Sequence, residues 1–193
     1  MTLRRILFAN DPRLRQKAKK VKDFGPHLQK LAEDMLETMH KANGVGLAGP
    51  QIGIMQRIFV VEIPPEEEDD SPSGEQYVLI NPELVKVSEE MEEGQEGCLS
   101  IPNWYGLVER HQSLEVKAKD PLGKNIRLKA DGFLARVIQH ENDHLDGVLF
   151  IDHISDKEKL WQVLPEDQVE GEAGESAESA EDSTAETPET TIV

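Results

Sequence analysis

The sequence has few of the residues that mark secreted, membrane-bound or nucleic-acid-binding proteins. Cys98 is its only cysteine in 193 residues, which excludes an intramolecular disulfide bond and is typical of a reducing compartment. No run approaches the roughly 20 apolar residues that a membrane helix requires. The apolar run at residues 6–9 is too short for the centre of a signal peptide. We therefore expect a soluble, cytoplasmic protein with no membrane partner.

Basic residues are also scarce: 21 lysines and arginines stand against 38 aspartates and glutamates, for a net charge of −17. The imbalance is concentrated after Pro165, where ten acidic residues occur without a single lysine or arginine, so that the first 165 residues carry only −7. Binding to nucleic-acid phosphates needs a basic surplus, and neither part has one. We therefore expect no direct nucleic-acid binding.

Composition divides the chain into one domain and one appended segment. Hydrophobic residues make up 37% of the chain, and its length suffices for one compact domain with a core. Residues 1–164 form this predicted domain. Residues 165–193, called the acidic segment below, are rich in Glu, Ser, Thr and Ala and contain no aromatic residue. Such a segment cannot bury enough apolar surface to offset its ordering entropy, so we predict that it is disordered.

Hydrophobic periodicity predicts two helices separated by strands. Apolar residues at helical spacing predict a helix over residues 26–43, ending before Gly44, and a second over residues 133–145, with Asp131 as its cap and Gly147 as its end. Residues 57–63, 77–80 and 84–87 are predicted strands. Residues 114–118 and 126–128 flank a turn and predict a hairpin.

The strongest chemical signal is the pentapeptide His140-Glu141-Asn142-Asp143-His144 within the second predicted helix. Residues four apart lie on the same face of a helix, so His140 and His144 can bind one metal ion together. Glu141, next to the first histidine, can then exchange protons with a metal-bound water. The pentapeptide also fits an exposed polar helix end, so it needs a further ligand to support a catalytic site.

Cys98, in the sequence Glu96-Gly97-Cys98-Leu99-Ser100, is the candidate third ligand. Catalytic metal sites usually have three protein ligands and an open position for water. One thiolate and two imidazoles would suit Zn²⁺, Fe²⁺ or a similar ion. A lone cysteine can also be a small buried residue or a nucleophile, but a nucleophile would leave the paired histidines unexplained.

Residues 44–51 (GVGLAGPQ) form a glycine-rich segment after the first helix. Phosphate binding is a weak interpretation, because the segment has no Lys-Ser/Thr pair and no preceding strand. The segment fits a turn packed against the core. It also fits a backbone edge that binds an extended peptide, with Gln51 supplying an amide donor to an oxyanion.

Together, and in this order, the glycine-rich segment, EGCLS and QHENDH resemble the signatures of the peptide deformylase family. The resemblance covers residues 6–154. It implies a metal-dependent hydrolase that removes the formyl group from the N-terminal formyl-methionine of newly made polypeptides. It departs from the family at Gly49, where a second alanine is usual, and we expect looser packing there. The leading hypothesis is an α+β fold in which antiparallel β-sheets pack around a central helix that carries the HExxH motif.

The resemblance also implies a role for each matching residue. Cys98, His140 and His144 would bind the metal, with water as fourth ligand. As the activated water attacks the formyl carbon, Glu141 would take its proton and deliver it to the leaving amine. The metal, the Gln51 amide and the backbone N–H of Leu99 would hold the oxyanion. The substrate would be bound by the backbone of Val45 and Gly46, and its methionine side chain by a pocket that includes Val137.

Fe²⁺ is the metal that the resemblance implies, although Zn²⁺, Ni²⁺ or Co²⁺ can occupy the same ligands. The nascent polypeptide is the expected partner. Some family members carry a basic C-terminal helix that resembles a ribosome anchor. The acidic segment stands in that place here and should be repelled by ribosomal RNA, so at most a transient ribosome contact is expected. Two alternatives remain at this point: a metallopeptidase that uses the same helix motif, and a catalytically silent metal-binding module.

Overall fold

A computed structural model describes residues 2–63 and 74–163 of the chain. It has two α-helices and eight strands in these ranges, together with short 3-10 helices. The helices are α1 (Pro26–Lys41) and α2 (Gly132–Asp146). The strands are β1 (Gly46–Ala48), β2 (Ile58–Glu62), β3 (Gln76–Val85), β4 (Met91–Cys98), β5 (Ile101–His111), β6 (Ser113–Lys119), β7 (Asn125–Asp131) and β8 (Leu160–Gln162).

The strands form two antiparallel sheets. The five-stranded sheet has the order β1-β2-β3-β6-β7, and the three-stranded sheet has the order β4-β5-β8. Strand β2 is buried on both faces, which explains its continuous apolar sequence: Ile58 and Val60 pack with α1, whereas Phe59 and Val61 pack in the core that contains α2. The expected α+β fold is thus confirmed.

Helix α2 is central because both of its sides are covered. Its apolar residues Ala135, Val137, Ile138 and Leu145 pack with the five-stranded sheet. The three-stranded sheet covers the remaining face, where the buried polar residues of the helix lie. Asp131 precedes the helix, as predicted, but its side chain makes no capping hydrogen bond.

Local patterns predicted the helices and the β6–β7 hairpin closely and the strands β4 and β5 not at all. Strand β4 has the sequence MEEGQEGC, which lacks apolar alternation. It is a strand because eight of its residues pair with β5, a long-range effect. Residues 84–87, predicted as a separate strand, instead fall at and beyond the end of β3, which continues to Val85 past an irregularity between Ile80 and Glu83. The acidic segment lies outside the described residues.

Candidate metal centre and catalytic cleft

Helix α2 has five buried polar side chains, and three of them belong to the predicted metal motif. His140, Glu141 and His144 expose 1%, 0% and 1% of their surface. The helix ends at Gly147, whose φ of 77° lies in the left-handed region that favours glycine. His140 and His144 are four residues apart, so both imidazoles lie on the helix face opposite the five-stranded sheet.

Cys98, the last residue of β4, brings a sulfur atom to these imidazoles. Its Sγ lies 3.3 Å from Nε2 of His144. The potential ligand atoms of Cys98, His140 and His144 lie within 4.8 Å of one another, and among the described residues this is the one such His/Cys/Asp/Glu group. The register of β4 against β5 shifts between Gly97 and Cys98, at the point where the sulfur joins the group.

The three side chains fit a divalent metal ion. Two atoms that bind one ion at about 2.0–2.3 Å can lie up to roughly 4.6 Å apart, close to the spread found here. Nε2 of His140 is buried without a hydrogen-bond partner among the described residues, while its Nδ1 lies 2.9 Å from a Glu96 carboxylate oxygen. A carboxylate on one ring nitrogen leaves the other free for an ion.

Burial explains the protonation preferences of this group. It raises the pKa of the Cys98 thiol to about 12, so the thiolate needs a neighbouring cation. Burial also lowers the pKa of His144, and the nearby His140 lowers it further. His144 is therefore neutral, the form in which an imidazole binds metal.

Glu141 is a buried carboxyl group with no partner for either oxygen among the described residues. Burial raises its pKa, and the negative charges of Glu96 and Asp143 add to this effect. A Cβ atom placed on Gly46 would lie 2.3 Å from Oε1 of Glu141, so this glycine gives the carboxyl group its space. A buried carboxyl group with a raised pKa is suited to accept and return a proton.

Gln51 lies in the 3-10 helix Gly49–Ile52 and points its amide at the same group. Its Oε1 accepts a hydrogen bond from the backbone N–H of Ala48 at 2.7 Å, which fixes the orientation of the amide. Its Nε2 then lies 3.6 Å from Sγ of Cys98 and 3.3 Å from the hydroxyl oxygen of Ser100. The amide hydrogens of Gln51 are thus directed at the Cys98 sulfur and the Ser100 hydroxyl.

Strand β1 is an edge of the five-stranded sheet within the described residues. The carbonyl of Val45 accepts a hydrogen bond from the N–H of Glu62 at 2.9 Å. Because hydrogen-bonded and non-hydrogen-bonded positions alternate along an antiparallel pair, the N–H and C=O of Gly46 point away from β2 toward the open edge. This edge can pair with an extended peptide beside Glu141.

Leu99 and Val137 differ in their access to the cleft. Leu99 follows Cys98 in the β4–β5 turn, is half-buried, and lines an open cavity. Val137 is one turn before Glu141, as predicted, but it is fully buried in the core between α2 and the five-stranded sheet.

Sequence reasoning assigned no role to Glu96, Arg110 or Arg136, which form a buried charged network behind the histidines. Glu96 is fully buried and accepts two hydrogen bonds from Arg110, at 2.8 and 3.0 Å, and one from Arg136 at 3.3 Å. Burial opposes its charge, but the hydrogen bonds with His140 and Arg110 outweigh burial and lower its pKa. The available signal was Arg136 itself, a charged residue one turn before His140 on the same face of the helix.

The site combines a thiol and two imidazoles that can bind a metal with a buried carboxyl group and an oriented amide, all beside a strand edge that can bind a peptide. These features define the class of protein: a metal-dependent hydrolase of α+β fold. The polypeptide deformylase family model matches residues 3–160. A peptide deformylase of Thermomicrobium roseum is 46% identical over 173 residues, which cover 90% of this chain and 98% of the relative.

Solved structures agree with the family match. The crystal structure of peptide deformylase from Ehrlichia chaffeensis aligns with a TM-score of 0.76 and 37% identity, over 82% of this chain and 91% of the other. That from Thermotoga maritima aligns with a TM-score of 0.73 and 41% identity, over 81% of this chain and 100% of the other. The chain therefore belongs to the peptide deformylase family. It is a metal-dependent hydrolase that removes N-terminal formyl groups from nascent polypeptides.

Proposed function

We propose that Cys98, His140 and His144 bind one divalent metal ion and that Glu141 is the proton carrier of deformylation. The observation that supports this most strongly is the convergence of four buried side chains: three potential ligands within 4.8 Å of one another, and a carboxyl group without a partner on the same helix. When bound, the ion supplies a Lewis acid and lowers the pKa of a coordinated water.

The residues of the chain supply the remaining functions. Glu141 accepts a proton from the attacking water and returns it to the amine of the peptide as the bond between that nitrogen and the formyl carbon breaks and formate is released. Gln51 donates from Nε2 to the oxygen that becomes negative, and the backbone N–H of Leu99 is the second donor. Removing one such donor typically costs about 10²–10³ in rate. Burial of the cleft strengthens these hydrogen bonds, because the effective dielectric constant is lower there.

The substrate backbone extends along the open edge of β1. The N–H and C=O of Gly46 both face this edge and would bind the substrate backbone. The carbonyl of Val45 already accepts a hydrogen bond from Glu62, so Val45 would bind the substrate only with its remaining hydrogen-bonding capacity. We propose that Val137 forms part of the buried wall of the methionine pocket, since it is fully buried and lies one turn before Glu141 on α2.

Glu141→Gln tests the role of the carboxyl group. The substitution keeps the size of the side chain but removes the proton carrier, so kcat should fall by about 10²–10⁴ while bound metal is retained. The assay measures formate release from a formyl-Met peptide, with acetyl-Met and free-amine peptides as controls. Glu33→Gln, an exposed position on α1, is the matched variant and should leave kcat unchanged. Full activity of Glu141→Gln, or loss of its metal, would refute the assignment.

We propose Fe²⁺ as the metal in the cell. Both the ion and the Cys98 sulfur would then be sensitive to oxygen. Protein purified in air should lose activity over hours, whereas Ni²⁺-reconstituted protein should keep it. Metal analysis of protein prepared without oxygen identifies the ion directly. Equal stability of the two forms in air, or zinc as the bound metal, would contradict this proposal.

The cellular setting follows from the substrate. We propose that residues 1–164 act as one catalytic domain in the cytoplasm, where nascent chains emerge, and that any ribosome contact is transient and independent of nucleic-acid binding. The single cysteine, Cys98, is compatible with a reducing compartment. No helix in the described part of the chain is long and apolar enough to cross a membrane. Sedimentation with ribosomes at low and physiological salt tests the contact.

A further inference from the structure

An open cavity of about 580 Å³ lies beside the metal centre, between residues 3–8, the end of α1 and the start of β5. Leu3, Phe8 and Trp104 in its wall expose 54%, 52% and 37% of their surface. Cys98 and Leu99 form part of the same wall, so the cavity is continuous with the catalytic cleft. A group of exposed apolar side chains of this kind is typical of a binding surface.

The charge of the cavity is opposite to that of the chain. Arg4, Arg5 and Lys41 line it and no acidic residue does, although acidic residues outnumber basic ones 38 to 21 overall. Arg4 is paired with Asp34 at 2.8 Å. Within the described residues, neither Arg5 nor Lys41 forms such an ion pair. The cavity therefore suits a ligand that combines carboxylates with apolar groups.

The acidic segment of this chain combines carboxylates with apolar residues, and it begins close to the cavity. Strand β8 pairs with β5, and the N–H of Val163 donates to the carbonyl of Asn103 at 2.9 Å. Asn103 lines the cavity. The acidic segment follows one residue later, with ten acidic side chains, no basic residue, and the apolar pair Ile192 and Val193 after Glu189.

Covalent attachment makes even a weak contact effective. A flexible chain of 29 residues would have a root-mean-square span of about 30 Å, several times the width of such a cavity. The effective concentration of a segment tethered in this way is on the order of 1 mM. A contact with a dissociation constant of about 1 mM would therefore be occupied roughly half of the time.

We propose that the acidic segment docks in this cavity, with its carboxylates at Arg5 and Lys41 and its apolar residues against Leu3, Phe8 and Trp104. A docked segment would lie next to Leu99 and would compete with the nascent chain for the cleft. This consequence rests on the proposed function, whereas docking itself does not.

Amide NMR spectra of the full-length, Zn²⁺-loaded protein test docking without any turnover. The spectra are compared at salt concentrations of about 0.01 M and 1 M, where the Debye length is about 30 Å and 3 Å. Amide signals of Ile101, Asn103 and Trp104 should shift with salt in the unaltered chain. The shift should disappear when the ten carboxylates of the segment become amides (Glu→Gln, Asp→Asn), and also in Arg5→Glu/Lys41→Glu. Lys124→Glu/Lys129→Glu, with the same charge change at exposed β6–β7 hairpin positions, should retain it.

A charge exchange separates docking from other effects of the variants. Glu186→Lys/Glu189→Lys, added to Arg5→Glu/Lys41→Glu, should restore the salt-dependent shift. Docking is overturned if the unaltered and amide-substituted chains have the same amide signals for Ile101, Asn103 and Trp104 at low salt.

The catalytic consequence is measured separately. At low salt, the amide-substituted chain should have a KM for formyl-Met peptides about twofold below that of the unaltered chain, as expected for a site occupied half of the time. If KM rises in Arg5→Glu/Lys41→Glu while the spectra never respond to the segment, Arg5 and Lys41 bind substrate instead and the docking proposal is wrong. Absence of formate release from every variant would refute the proposed function and leave the NMR result standing.

Discussion

Glu96→Ala perturbs the buried network that orients His140, and its effects can be worked out from the contacts. The substitution removes one hydrogen-bond partner of His140 and three hydrogen bonds from two arginines. Arg110 would retain Asp143, at 2.6 Å, and Arg136 would retain the carbonyls of Val108 and Glu92, each at 2.8 Å. Breaking one side of a buried ion pair typically costs about 3–5 kcal/mol, and the retained partners favour the lower end of this range.

The same substitution should weaken metal binding by about 10- to 100-fold, because a carboxylate behind a ligating histidine fixes its orientation. Glu96→Gln keeps the shape and one acceptor oxygen, so it should lose less stability than Glu96→Ala. Urea unfolding measures the free energy, and competition with a chelator measures the metal affinity. Glu109→Ala, at an exposed position on β5, is the control and should change neither quantity. If Glu96→Ala loses less than about 1 kcal/mol and keeps its metal affinity, the network does not support the site.

Two further predictions concern other parts of the molecule. Gly46→Ala would place a Cβ 2.3 Å from Oε1 of Glu141 and would displace this carboxyl group. The displacement should lower kcat by about 10²-fold with metal content unchanged. Unaltered kcat in the formate assay would show that the carboxyl group tolerates the shift. Asp34 accepts a hydrogen bond from the Thr2 N–H and pairs with Lys30 and Arg4; Lys30 makes the largest contribution to lowering its pKa. Because the pKa is lower in the folded state, its stabilisation is present above the ordinary value of 3.8 and is lost as pH falls through the lowered value. Asp34→Asn should therefore be less stable than the unaltered chain at pH near 7, with a difference that shrinks as the pH falls below about 4. A constant difference in urea unfolding across this range would contradict the assignment.

The sequence by itself determined the two helices, the hairpin and the chemical identity of the site. Helical spacing of His140 and His144 is a local property, since any regular helix over these residues places both imidazoles on one face. The same holds for the apolar stripes that define which faces of α1 and α2 are buried. Cys98 was identified by the ligand count that a catalytic metal requires, combined with the ordered signatures of the family. These inferences depend only on short-range geometry and on the chemistry of residue types.

The tertiary structure alone decided which groups meet. Strand β4 has no local pattern of its own, yet its pairing with β5 is what brings Cys98 to within 3.3 Å of His144. The burial of Glu96 and its contacts with Arg110 and Arg136 depend on residues 14 and 40 positions away along the chain. The apolar cavity with its basic rim is likewise assembled from three separate stretches. Such contacts are set by the packing of distant segments, and packing depends on the whole chain rather than on the periodicity of any one part.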